Sequence, residues 1–101
     1  MVSRVKISDV LARVRACVAA GSYFDTYHSA LRQGERNISR GEILYVLTHG
    51  WHERSKDRFD LRYSDWNYAI RGRTLDGVGL RVVVAFDLSG MLIITAIKLD
   101  D

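Results

Sequence analysis

The hydrophobic period of this chain changes once, at Gly50, and that change restricts the folds open to it. Before Gly50 apolar residues recur at helical spacing; after it they alternate or run continuously, as strands do. Ser8 is placed to cap a first helix over 9–20, with Ile7, Leu11, Val14 and Val18 as its apolar stripe and Gly21 as its stop. A short extended piece, 23–26, leads into a second helix from His28 to about Gly34, so that Arg36 is delivered by the turn that follows. Ser39 and Glu42 have the spacing of a capping box, which opens a third helix over 40–49 with Ile43, Val46 and Leu47 facing inward.

Past Gly50, residues 51–63 read as one strand or two pieces. A second strand follows at 66–71, with Trp66, Tyr68 and Ile70 on one side. Asp76-Gly77 marks a turn, and two strongly apolar strands, 80–86 and 91–97, are joined by a hairpin at Asp87–Gly90. This order predicts an α+β domain: two to three N-terminal helices packed on one face of a roughly four-stranded antiparallel, curved sheet. A chain of 101 residues supports one such core and not two.

The same region carries the candidate chemistry. His28, Arg32 and Arg36 are four residues apart, a spacing that stacks side chains on one helix face. An imidazole with two guanidiniums suits an anion, first of all a phosphodiester. Cleaving RNA without a metal needs a base for the 2′-hydroxyl, an acid for the leaving oxygen and cations for the charged phosphorus centre. Histidine serves as base or acid near neutral pH, and arginine holds phosphate through paired hydrogen bonds. The bland alternative is a polar helix face whose histidine packs locally.

A second basic feature lies in 51–63, where His52, Arg54, Lys56, Arg58, Asp60 and Arg62 fall on alternate positions, five of the six basic. Such a face is either an edge strand protected by charge or a surface for RNA or an acidic protein partner. Twelve of the fifteen basic residues are arginine and the net charge is +3, milder than in strong non-specific polyanion binders. Trp51, Trp66 and Tyr68 are placed to stack on bases or, more simply, to pack. No P-loop, GxGxxG, HExxH or CxxC pattern occurs, and three histidines with one cysteine lack zinc spacing, so neither cofactor nor metal is expected. The lone Cys17, the lack of a long apolar run and the lack of a signal-peptide pattern point to a cytoplasmic protein.

The run His28–Ser39, followed by Glu42-Ile43, Val46-Leu47 and Gly50, resembles the opening of the DUF4258 family of small bacterial proteins. Trp66-Asn67-Tyr68, Leu80–Val84 and Ile93-Ile94-Thr95 are similar to its closing strands. The resemblance spans 24–97, which makes 22–97 the family-like core of a single domain and 1–21 a helical extension. The chain departs from the family pattern at Ser29, at Gln33 (methionine in the family, a buried anchor) and at Asn37, where the family has glycine and asparagine can still turn left-handed. The family itself resembles RelE/barnase-like metal-independent ribonucleases, some of them toxins encoded beside antitoxins. The resemblance therefore implies a toxin-type endoribonuclease with His28, Arg32 and Arg36 as catalytic positions, Arg81 and Thr95 as further RNA-binding candidates, and an antitoxin-like protein as a partner. The alternative from the residues alone is a non-catalytic module that docks an acidic protein or RNA.

Overall fold

The structure is a computed structural model and describes residues 5–26 and 33–99. Helix α1 (Val10–Ala20) is followed by strand β1 (Tyr23–Asp25); of α2, residues 33–36 are described. Helix α3 (Arg40–His49) precedes β2 (Trp51–His52), a single 3-10 turn (Arg54–Lys56), β3 (Arg58–Asp60), β4 (Asp65–Arg73), β5 (Gly79–Asp87) and β6 (Gly90–Leu99). The α+β class is as expected, but the sheet is six-stranded and mixed, in the order β1-β6-β5-β4-β2 with β3 also on β4. The extra strands come from pieces too short for periodicity to reveal. Residues Tyr23–Asp25 add a parallel edge to β6, in register with Met91–Ile93.

Helix ends follow their capping chemistry. Asp9, not Ser8, caps α1: its carboxylate accepts from the Ala12 amide at 3.1 Å. Gly21 ends α1 in the left-handed conformation, φ 70°. The α1 stripe is rotated from the expected one, since Val10 and Val14 are its buried residues while Ile7, Leu11 and Val18 pack at the margin. The Ser39/Glu42 capping box forms in both directions, and α3 buries Ile43, Val46 and Leu47.

Residues 33–36 are helical, so α2 runs past Gly34 and carries Arg36 within its last turn; the expectation of an Arg36 beyond the helix is corrected. Asn37 ends it with φ 56°. The Ile38 amide donates to the Gln33 carbonyl and the Asn37 amide to that of Gly34, the two bonds of a Schellman cap. Asparagine thus does what glycine does at this position, and the cap turns Ile38 into the core, where it is 4% exposed. The Gln33 departure is also accommodated: its amide donates to Asp25 at 2.7 Å, and Arg40 binds the other oxygen of Asp25.

One core joins the helices to the sheet. Val10, Val14, Ile43, Val46 and Leu47 pack on Tyr68, Ile70, Leu80, Val82, Val84 and Ile93. Helix α1, which the sequence suggested was an extension, therefore supplies two fully buried residues to the same core. Gly50 marks the closest approach of α3 to the sheet: a Cβ there would lie 2.4 Å from the Arg71 carbonyl oxygen. Among the described residues no helix is long and apolar enough to cross a membrane.

Candidate nucleic-acid interface

Helices α1 and α3 cover one face of the sheet, and the strand alternation sends the intervening residues to the other. Tyr68, Ile70, Leu80, Val82 and Val84 point to the helices, so Asn67, Arg71, Arg81 and Val83 point away. On β6 a bulge at Val83/Val84 resets the register, pairing Val83 with Thr95 and Arg81 with Ile97. Arg81, Val83, Thr95 and Ile97 therefore form one contiguous patch on the open face.

Of the two readings of 51–63, one strand or two pieces, the structure shows the second, and the single basic face that unbroken alternation would give does not form. The stretch breaks into β2, the 3-10 turn and β3, all along one side of β4. The break disperses the alternate-position cations. His52 pairs with Ile70 and so turns toward the helix side, where its ring packs edge-on against Tyr68 at 5.9 Å between centroids. Arg62 lies in the β3–β4 turn over the Tyr63 ring, where it shares a pocket with Arg58, Asp60 and Asn67. Arg54 opens the 3-10 turn and lines none of the pockets that Asn67 lines. Lys56 and Arg58, by contrast, converge with Arg81 and Asn67 on a pocket of 220 Å³ floored by Val83 and Ile97.

Asp57 makes this convergence possible. Its side chain is 1% exposed; Oδ1 accepts from the Ala69 amide at 2.9 Å, and Oδ2 takes His52 Nε2 at 2.7 Å and Lys6 Nζ at 2.8 Å. A buried carboxylate with three donors pins the chain between its two cationic neighbours. Among the described residues, Lys56 and Arg58 have no ion-pair partner.

Arg81 is held differently. Its Nε and Nη2 donate to the two oxygens of Glu53, at 2.7 and 3.2 Å, while Arg71 Nη1 donates to Glu53 Oε2 at 3.0 Å. One carboxylate thus serves two guanidiniums, and the cluster keeps a net positive charge. The Arg81 hydrogen bond foremost holds the Glu53 carboxyl below its ordinary pKa; burial opposes this and Arg71 adds to it. Glu53 was missed in the sequence because it interrupts a basic run at an odd position. Its place between His52 and Arg54 was the available signal.

Of the three helix candidates, His28 and Arg32 lie outside the described residues. Arg36 reaches the sheet: its Nη1 donates to Thr95 Oγ1 at 3.1 Å and to the Ala96 carbonyl at 2.7 Å. The structure therefore brings Arg36 and Thr95 together, with Thr95 beside Val83 of the pocket floor. Arg36 also has a structural task, since it satisfies a carbonyl on β6 beyond the last residue paired with β1. Trp66 and Tyr68 pack, Tyr68 at 1% exposure, whereas Trp51 is 53% exposed. No group of three or more His, Cys, Asp or Glu that could hold a metal occurs among the described residues.

The model of a family described as Domain of unknown function (DUF4258) matches residues 25–98. No curated protein matches the chain.

Proposed function

The chain belongs to the DUF4258 family, and from that premise we propose that it is a metal-independent endoribonuclease of the toxin type, acting in the cytoplasm on RNA held across the open face of its sheet. The observation that carries this reading is the pocket where Lys56, Arg58 and Arg81 converge beside Arg36 and Thr95. Three cations around a small pocket with one amide, Asn67, match the charge and hydrogen-bonding needs of a phosphodiester. Its apolar floor excludes water from one side of the bound group, which strengthens those contacts.

In this reading Lys56, Arg58 and Arg81 hold the phosphate and balance the charge that builds at phosphorus. Glu53 positions Arg81. Its lowered pKa makes it a weak proton acceptor, so the base is assigned to His28, with Arg32 as a further phosphate contact. Among the described residues Arg36 spends only Nη1 on the protein, which leaves Nε and Nη2 for substrate.

The test is incubation of pure protein with RNA in EDTA. Cutting is expected to leave 2′,3′-cyclic or 3′-phosphate ends, and His28→Ala is expected to abolish it while circular dichroism stays native. RNA that is bound but never cut would favour a non-catalytic module; intact RNA with no binding, together with capture of one acidic protein through Arg58, would favour an antitoxin-like or acidic partner at the same cations.

A further inference from the structure

The segment before α1 is pinned to the sheet although it has no regular structure of its own. Residues 5–9 form neither helix nor strand. The Ile7 amide donates to the Tyr68 hydroxyl at 2.9 Å, and Tyr68 is 1% exposed. Lys6 Nζ reaches Asp57 Oδ2 at 2.8 Å and lies 4.6 Å from the centroid of the Trp66 ring. His52 closes the circuit: its ring packs on Tyr68, and its Nε2 meets the same Asp57 oxygen. Two consecutive residues of the segment thus grip the two ends of one buried polar network.

This grip lies on the helix side of the sheet, where Tyr68 points and where Ile7 and Trp66 pack against the core. Lys56 and Arg58 stand on the other face, around the cationic pocket. Asp57 links the two faces because it lies between those two cations in the chain. The 3-10 turn before it buries none of its own residues, and Glu53 makes no side-chain cap for it. Glu53 instead anchors the start of the turn, through its amide on the Ala69 carbonyl at 2.8 Å. Asp57 anchors the end, through its side chain. A carboxylate this deeply buried needs a counter-charge as well as donors. Lys6 brings that charge from outside 25–98, the residues that the family model matches.

We propose that residues 5–9 are a strap that sets the cationic pocket from the opposite face of the sheet, with Lys6 as its positioning residue. Lys6 acts on RNA only through Asp57. Without Lys6, Asp57 keeps the Ala69 amide and His52, so the chain still folds, but the turn opens more often. Lys56 and Arg58 then present the pocket in a smaller fraction of molecules, and the apparent affinity falls by that fraction. The inference rests on the RNA reading above for its binding readout and adds to it what keeps that site in shape.

The test compares Lys6→Met, which keeps the length of the side chain, with Lys6→Arg, which keeps the charge. Amide hydrogen exchange followed by NMR reads the turn directly. In Lys6→Met the amides of Lys56, Asp57 and Ala69 are expected to exchange at least about tenfold faster, while those of β5 and β6 stay as protected as in the parent. Fluorescence anisotropy in EDTA, with a 2′-O-methyl oligouridylate that cannot be cut, reads the pocket. Lys6→Met is expected to bind about three- to tenfold more weakly, with a shallower salt dependence, and Lys6→Arg within about twofold of the parent. On a Lys56→Ala/Arg58→Ala background, Lys6→Met is expected to cost less than about twofold. Unchanged exchange at the turn overturns the strap. Faster exchange with unchanged affinity overturns its positioning role. An equal loss on the Lys56→Ala/Arg58→Ala background also overturns it, because Lys6 would then meet the RNA itself. No binding by the parent overturns the RNA reading, and the strap then stands or falls on the exchange alone.

Discussion

Replacing Asp57 with alanine tests whether a buried carboxylate organises the cationic pocket. Asp57 is 1% exposed and the Ala69 residue whose amide it accepts from is fully buried. Alanine leaves that amide without an acceptor, at about 1–3 kcal/mol. His52, 10% exposed on its side chain, loses its acceptor as well, at a similar cost. Lys6 is 35% exposed and adds about 1 kcal/mol or less. The sum is about 3–5 kcal/mol, as for removing one member of a buried pair. A domain of 101 residues has roughly 5–15 kcal/mol in total, so the variant is expected to melt roughly 12–30 °C lower. Asp57→Asn keeps a carbonyl oxygen for the Ala69 amide and is expected to cost about half as much. Urea denaturation followed by tryptophan fluorescence gives both values. An Asp57→Ala variant within about 1 kcal/mol of the parent would refute the reasoning. So would an asparagine variant as damaged as the alanine one, because the Ala69 hydrogen bond would then contribute nothing.

Four further outcomes are expected. Glu53 has a lowered pKa in the folded chain, so its stabilising contribution is present above the ordinary glutamate value near 4.5 and is lost as pH falls through the lower folded value; Glu53→Gln should flatten the acid limb of a stability–pH curve. Arg36→Met removes both Nη1 hydrogen bonds and orphans the Ala96 carbonyl, with an expected loss of about 1–3 kcal/mol by urea melts. Activity lost in that variant is therefore to be compared with Arg36→Lys, which keeps a cationic donor group. Arg58→Glu should weaken RNA binding and reduce the slope of log affinity against log salt by about 0.7 for each phosphate no longer neutralised; an unchanged slope would place Arg58 off the RNA path. Gly50→Ala sets a Cβ 2.4 Å from the Arg71 oxygen and 2.6 Å from that of Val46, and should cost about 1–3 kcal/mol in a thermal melt.

What could be read from the chain was whatever depends on near neighbours. The third helix with its Ser39/Glu42 box, the Gly21 stop and the two apolar closing strands with their Asp87–Gly90 hairpin are decided within a few residues, and each forms as the local pattern requires. The left-handed Asn37 belongs with them, because its conformation is set by the side chain's own tolerance for positive φ. The family could also be read, since the residues that carry it lie at short spacings between His28 and Gly50 and again in the closing strands.

Tertiary structure decided everything that depends on distant partners. A three-residue strand has no period to detect, so the parallel pairing of β1 with β6 followed only from the packing of the whole sheet. Alternation over 51–63 suggested five basic residues on one face. The buried Asp57 instead bends the chain through a 3-10 turn, taking Lys56 and Arg58 into the pocket and leaving His52 on the helix side. Arg81 joins them because a neighbouring loop supplies Glu53, 28 residues away in sequence. Sequence alone determined the order of helices and strands and the presence of a cationic surplus, because both are sums over local residues. Only the fold decided which cations share a pocket, because that depends on side-chain directions set by strand register and by one buried carboxylate.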